Sequence, residues 1–360
     1  MGELRLMKGN EAVAEAAVRA GCDGYFGYPI TPQSEIMEYL MAVKPYETTG
    51  MVVLQAESET ASINMLYGGA GTGKMVMTSS SSPGISLMQE GISYMAGAEL
   101  PALIVNVVRG GPGLGTIQPS QADYFQAVKG GGHGDYKMIV LAPASVQEMA
   151  DFAKLGFDLA FKYRTPVMIL SDGAIGQMME KVELFDPIPR RTDAELIAQC
   201  PWAATGKPKE REHVIITSLD LDPAGQERVN LKLQAKYRQI EKDEVRYELI
   251  GCDDAEYLFI AFGLSARICQ KSMDLARAKS IKVGLLRPIT LYPFPEKQVA
   301  EIAKKVKGIL VVEMNAGQMI EDVRLSAGCS VKIEHYGRFG GIIPAPDEVV
   351  RALEKQIIGG

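Results

Sequence analysis

Lys74-Met75-Val76-Met77-Thr78, Ser79-Ser80-Ser81-Ser82-Pro83-Gly84, Ile85 to Ala98 and Ala102-Leu103-Ile104-Val105-Asn106-Val107-Val108 form the run that decides the fold. Its short apolar ends read as strands, its middle as a helix, and the Ser/Pro/Gly cluster as the loop between. The continuous apolar segment Ala102–Val108 suits a central parallel strand covered on both faces. The same grammar extends outward. Asn10 to Ala20 is an Ala-rich helix, and Gly24 to Tyr28 a strand ending at Pro29. Thr31 is expected to cap a helix with Pro32 at its first position, running through Met41. Met51 to Gln55 is a strand, and Glu59 to Tyr67 a helix stopped by Gly68 and Gly69. Met138 to Leu141, Val146 to Tyr163 and Val167 to Leu170 continue as strand, helix, strand. Such alternation implies an α/β fold with a doubly wound parallel sheet.

The pattern lapses after Asp186. Pro187, Pro189, Pro201 and Pro208 punctuate a weakly periodic stretch, followed by a charged, helical segment from Glu227 to Tyr247. Alternation resumes near Glu256 and continues to a closing helix, Asp347 to Lys355. The expected division is therefore a first α/β domain over residues 1–186, a connecting segment over 187–250, and a smaller α/β domain over 251–360.

Composition excludes several classes. The 360 residues carry a formal net charge of −6, with no basic footprint for nucleic acid. No apolar run approaches the roughly 20 residues of a membrane helix, and the polar start suggests no signal peptide. A cytoplasmic protein is expected. The five cysteines, Cys22, Cys200, Cys252, Cys269 and Cys329, are scattered without a CxxC pair, which argues against a cluster or zinc site on this chain. Three histidines are too dispersed for a metal site.

Ligands in open parallel sheets sit beyond the carboxyl ends of the strands. That rule selects Tyr28-Pro29-Ile30-Thr31, Gln55 to Glu59, Ser79 to Gly84, and Arg109-Gly110-Gly111-Pro112-Gly113, which should gather at one rim. Each alone is weak. A Thr–Pro pair is usually a cap, and a glutamate in a first helical turn is usually a solvated residue favoured by the helix dipole. Two glycine-rich runs are dismissed. Gly68 to Met75 mimics a phosphate loop, but Met75 stands where a hydroxyl would meet magnesium, and the glycines follow a helix. Gly130 to Asp135 is not followed by a helix N-terminus.

Here a family resemblance enters. Gly27-Tyr28-Pro29-Ile30-Thr31-Pro32 resembles the YPITP signature of 2-oxoacid:ferredoxin oxidoreductases. Gln55-Ala56-Glu57-Ser58-Glu59, with Gly68 nine positions after Glu59, resembles the pyrimidine-binding segment of thiamine diphosphate enzymes. The likeness continues through Ser82–Gly91, Asn106–Pro112, Gly132–Tyr136, Ala142–Glu148, Leu286–Ile289 and Gly340–Pro344, almost the whole chain. Within the family it is similar to the pyrimidine-domain (alpha) subunit of the branched-chain, 2-oxoisovalerate type.

The resemblance implies a thiamine pyrimidine-binding domain followed by a transketolase C-terminal-like domain. It also implies CoA-dependent oxidative decarboxylation of a 2-oxoacid with reduction of ferredoxin. A carboxyl bonded to the pyrimidine nitrogen favours the imino tautomer, whose nitrogen takes the thiazolium proton; the cofactor does the hard chemistry. Such a carboxyl must be shielded, since removal from water favours its protonated form. Glu57 and Glu59 cannot share one helix face, and the family spacing points to Glu59. Small neighbours Ala61 and Ser62 would let the ring approach. Pro29, Ile30 and Ser82 are implied cofactor contacts. Thr31 and Arg109 are implied to bind the substrate carboxylate, which matches a guanidinium fork.

The family's GDG-and-asparagine element for the magnesium-held diphosphate is missing, as are cluster cysteines. The resemblance therefore implies a beta subunit holding Mg2+ and the diphosphate. A gamma subunit, a ferredoxin-like delta subunit and 4Fe–4S clusters on partner chains complete the implied assembly, with ferredoxin as acceptor. A 2-oxoglutarate or pyruvate enzyme of the same family remains open, as does a non-catalytic assembly subunit. A second basic residue in the pocket would favour 2-oxoglutarate, and an apolar lining would favour 2-oxoisovalerate.

Overall fold

A computed structural model describes residues 2–206, 212–328 and 330–359; Pro208 and Cys329, both used above, lie outside these. Two sheets organise the chain. The larger has seven strands in the spatial order Thr290–Tyr292, Ile139–Leu141, Pro166–Asp172, Ala102–Val108, Val76–Ser80, Gly24–Gly27, Val52–Gln55. All neighbours pair in parallel except the first two. The apolar strands Ala102–Val108 and Pro166–Asp172 are buried along their whole length, as a central position demands.

The smaller sheet has five strands in the order Lys332–Gly337, Gly308–Glu313, Tyr257–Ile260, Val283–Pro288, Tyr247–Ile250. The last of these runs antiparallel. A two-stranded ribbon, Glu3–Lys8 against Met179–Leu184, lies apart. Its mixed polar and apolar residues carried no readable signal.

Several local expectations are corrected. Thr31 does not cap a helix. The helix spans Ser34–Val43, and Thr31 and Pro32 lie in a turn closed by Gln33 N donating to Ile30 O at 3.0 Å. The buried Gln33 side chain holds that turn, its Nε2 donating to Tyr28 O at 2.9 Å and its Oε1 accepting from Ser79 Oγ at 2.6 Å. Gly68 and Gly69 do not stop their helix, which runs Glu59–Gly71. A Cβ on Gly69 would lie 3.0 Å from Val76 Cγ1 and 3.1 Å from Phe26 Cε2. Glycine there lets the helix lie close on the sheet rather than ending it.

The segment 187–250 also contains more than a connection. Helix Pro223–Asp243 buries Leu233, Tyr237 and Ile240 against the first domain. Strand Tyr247–Ile250 belongs to the smaller sheet, so that sheet begins before residue 251. Conversely, Thr290–Tyr292 returns to edge the larger sheet, Thr290 opposite Leu141. The strand Thr290–Tyr292 thus ties the second α/β unit to the sheet of the first.

Candidate active site

The strand order places a topological switch between Gly24–Gly27 and Val76–Ser80, since the chain leaves the first toward one edge and later builds the other half. A crevice opens at such a switch, at the carboxyl ends of the strands. The four expected segments follow four consecutive strands of this half-sheet, and they do meet.

Arg109 ties them together. Its Nη1 donates to Thr31 O and its Nη2 to Leu114 O, each at 3.0 Å. Arg109 is buried, and its Nε has no partner among the described residues. Two of its five N–H donors are therefore engaged in clasping loops, and the others remain for a ligand. Ser82 Oγ accepts from Arg109 N at 3.1 Å and donates to Arg109 O at 3.2 Å. Ser82 has a φ of 21°, a conformation non-glycine residues seldom adopt. Thr31 is exposed at the rim, while Pro29 and Ile30 are half-buried beside it.

Glu59 and Glu57 are separated by geometry rather than by helix face. Glu57 precedes the helix, is exposed, and accepts from Ser58 Oγ at 3.1 Å. Glu59 is the first helical residue and only 6% exposed. Ser58 caps the helix by accepting from Ala61 N at 3.2 Å, which turns Glu59 inward. No described residue donates a hydrogen bond to the Glu59 carboxyl. A Cβ on Gly84 would lie 2.7 Å from Glu59 Oε1, so glycine is what makes room for the carboxyl at that loop. Ser80, whose Oγ also lies against Gly84, and Ser81 have buried hydroxyls without partners among the described residues. A carboxyl without a described donor and two buried hydroxyls without described partners are the kind of groups a polar ring satisfies. Ala61 and Ser62 follow on the same helix, Ser62 Oγ donating to Ser58 O at 3.0 Å.

Sequence reasoning missed the residues behind these. Asn106 Oδ1 accepts from Ser82 N at 3.2 Å, and Asn106 Nδ2 donates to Asp123 Oδ2 at 2.9 Å. Burial pushes the Asp123 carboxyl above the usual range. Asn106 had a legible signal, as the one polar residue in an otherwise apolar strand. Asp123 and Gln33 had none. A cavity of about 730 Å³ opens beside Arg109 and Ser82, with Asp123, Pro112, Asn315 and Phe339 also on its wall.

Asp172 ends another strand on this rim and caps helix Gly173–Gln177, accepting from Ala174 N at 2.9 Å and Ile175 N at 3.2 Å. Burial pushes its carboxyl up to about 6 from 3.8. Folding thus favours the protonated form, so this group's contribution to stability is fullest below 3.8 and is lost as pH rises toward 6. Asp172→Asn keeps a cap acceptor and removes the titration. Its melting temperature should lose the downward trend that Asp172 imposes between about pH 4 and pH 6; a slope parallel to the wild type's would assign that trend elsewhere.

Among the described residues no cluster of three or more His, Cys, Asp or Glu is placed to hold a metal ion. Cys22, Cys200, Cys252 and Cys269 are free thiols. No described helix is long and apolar enough to cross a membrane.

Residues 15–218 match the family described as pyruvate flavodoxin/ferredoxin oxidoreductase, thiamine diphosphate-binding. Residues 255–349 match pyruvate:ferredoxin oxidoreductase core domain II. The ketoisovalerate oxidoreductase subunit VorB of Methanothermobacter marburgensis is 49% identical, over 98% of this chain and 97% of that protein. The 2-oxoglutarate synthase subunit KorA of Archaeoglobus fulgidus is 37% identical, over 99% of this chain and all of that one. Among solved structures, the 2-oxoglutarate:ferredoxin oxidoreductase of Magnetococcus marinus superposes with a TM-score of 0.85 at 28% identity, over 99% of this chain and 66% of that one. A split-gene transketolase superposes at 0.61 with 14% identity, a likeness of fold alone. The chain belongs to the 2-oxoacid:ferredoxin oxidoreductase family, as a subunit carrying its thiamine diphosphate-binding domain and its core domain II.

Proposed function

We propose that this chain is the pyrimidine-side subunit of a branched-chain 2-oxoacid:ferredoxin oxidoreductase, converting 2-oxoisovalerate and coenzyme A to the acyl-CoA and carbon dioxide. The observation that carries the catalytic reading is the buried Glu59, whose carboxyl takes the space left by Gly84 and has no hydrogen-bond partner among the described residues. Thiamine diphosphate, when bound, supplies the nucleophilic thiazolium carbon and the electron sink for decarboxylation. Glu59 holds a proton at the pyrimidine nitrogen that meets its carboxyl. Pro29, Ile30 and Ser82 border the ring. Arg109 presents its remaining N–H donors to the substrate carboxylate, and the Thr31 hydroxyl donates to the carboxylate or keto oxygen.

The cavity wall supports a monocarboxylate. Arg109 is its one cation among the described residues, and Asp123 is its one acid. The distal carboxylate of 2-oxoglutarate would find no partner beyond Arg109 and would meet Asp123. An aliphatic side chain meets Phe339, Pro112 and Ala122 instead. The 49% identity to a ketoisovalerate oxidoreductase subunit points the same way.

A beta subunit brings Mg2+ and the diphosphate site. Gamma and delta subunits with 4Fe–4S clusters pass electrons to ferredoxin in the cytoplasm. Helix Pro83–Gly97, which starts at the site, leaves Leu87 and Tyr94 exposed on one face, a surface suited to a partner. Co-purification followed by CoA-dependent dye reduction over a panel of 2-oxoacids tests the proposal. Activity highest on 2-oxoisovalerate is expected, and a preference for 2-oxoglutarate would overturn the substrate.

Gly84→Ala tests the site locally. A methyl group there would lie 2.1 Å from Ser80 Oγ and 2.7 Å from Glu59 Oε1, so both must move aside, and misplacement of the carboxyl by about 1 Å can lower turnover on the order of a hundredfold. The complex should assemble and bind substrate normally. An unchanged kcat would show that the carboxyl's position is not limiting.

A further inference from the structure

The smaller sheet also presents strand ends to the cavity. Its neighbouring parallel strands Gly308–Glu313 and Lys332–Gly337 end side by side, and the loops that follow them supply Asn315, Ala316, Gln318, Phe339 and Gly340 to the cavity wall. The carboxyl ends of both sheets thus converge on one space, the place where open parallel sheets bind ligands.

This side of the wall is held firmly. Gln121 N and Ser120 Oγ donate to Met314 O at 3.0 and 3.2 Å, and Asn315 Nδ2 donates to Gln121 O at 2.8 Å. Gln318 Nε2 donates to Ala122 O at 2.7 Å, while Gln318 Oε1 accepts from Phe125 N at 2.8 Å. The buried Glu313 carboxylate braces the loop from behind, accepting from Met319 N at 2.8 Å and Ile320 N at 3.1 Å. The second loop is wedged equally closely, since a Cβ on Gly110 would lie 3.1 Å from Gly341 N.

On this fixed frame Phe339 is 66% exposed and lines the cavity. A large apolar ring left in water at a well-packed loop invites a ligand. Among the described residues it is the only large apolar side chain on that wall; the rest are glycine, alanine, proline and polar residues. It comes from the opposite sheet to Arg109, so a molecule gripped at one end by the guanidinium offers its other end to the ring.

We propose that Phe339 is a specificity-determining residue, whose ring receives the branched alkyl group of a 2-oxoacid held through its carboxylate at Arg109. The inference rests on the substrate reading given above. It makes the second domain part of the active site.

The test compares wild type, Phe339→Ala and Phe339→Leu in the full multi-subunit complex, measuring kcat/KM for 2-oxoisovalerate, 2-oxobutyrate and pyruvate. Removing apolar contact to one or two methyl groups should lower the 2-oxoisovalerate-to-pyruvate ratio of kcat/KM by roughly tenfold in Phe339→Ala. The 2-oxobutyrate ratio should fall less, and Phe339→Leu should recover most of the selectivity. Equal losses on all three acids, loss of assembly in both variants, or unchanged ratios would overturn the inference while leaving the substrate reading intact. A wild-type complex that prefers 2-oxoglutarate would overturn both.

Discussion

Replacing Glu59 by glutamine is expected to lower kcat by about 10²- to 10⁴-fold, the range that a positioned proton-transfer group supplies. The amide is nearly isosteric and can still lie in the gap beside Gly84, so the complex should assemble with unchanged thermal stability. Because no described residue donates to this carboxyl, the substitution breaks no hydrogen bond to the described residues. KM for the 2-oxoacid should change little, since the proposed function places Glu59 against the cofactor ring and not against the substrate. Deuterium exchange at the thiazolium carbon, followed without any 2-oxoacid, gives a separate readout and should slow in parallel. Full activity in Glu59→Gln would remove this residue from the mechanism. The same substitution at the exposed Glu57 is the control, with an expected effect below twofold.

Replacing Arg109 by lysine should be nearly as severe but in the other kinetic constant. An ammonium cannot offer the planar fork that matches a carboxylate. It also cannot reach Thr31 O and Leu114 O together, which the guanidinium does at 3.0 Å each. Hydrogen bonds to charged groups contribute about 1.5–3 kcal/mol each, so losing one carboxylate contact and loosening both loops predicts a fall in kcat/KM of about a hundredfold or more. Most of it should appear as raised KM. Cofactor binding, followed by thiamine diphosphate titration, should be largely retained. A variant keeping more than a third of the wild-type kcat/KM would show that a positive charge suffices and the fork does not matter.

The two substitutions divide the site as its geometry does. Glu59 sits at the start of a helix that crosses from the edge strand back over the sheet, and Arg109 at the end of the central strand Ala102–Val108. On the proposed reading, one acts at the cofactor ring and the other at the substrate carboxylate.

Much of this was legible without coordinates. The apolar runs of the parallel strands read clearly because both faces of such strands are buried, and Ala102–Val108 stands as expected. The gathering of four loops at one rim followed from strand–helix alternation and the position of strand ends. Local detail was less faithful. Thr31-Pro32 carries the chemistry of a helix start, yet the buried Gln33 amide overrides it by holding a turn. The glycine pair at 68–69 carries the chemistry of a helix stop, yet close packing on Phe26 and Val76 gives it another use.

What the sequence by itself determined is the alternating α/β architecture, the residue types at each loop, and the candidates Thr31, Glu59 and Arg109, because these depend on local periodicity and on signatures a few residues long. What only the tertiary structure decided is which of them face each other and what stands behind them. Arg109 meets Thr31 across 78 positions of chain, and Gln121 meets Met314 across 193. The inward turn of Glu59 into the space left by Gly84, the Asn106 link from Ser82 to Asp123, and the entry of Phe339 from the second sheet are long-range contacts of this kind. No spacing in the chain encodes them; they exist only once the strands have aligned and their loops have packed at one rim, and the Phe339 contact only once the second sheet faces that rim.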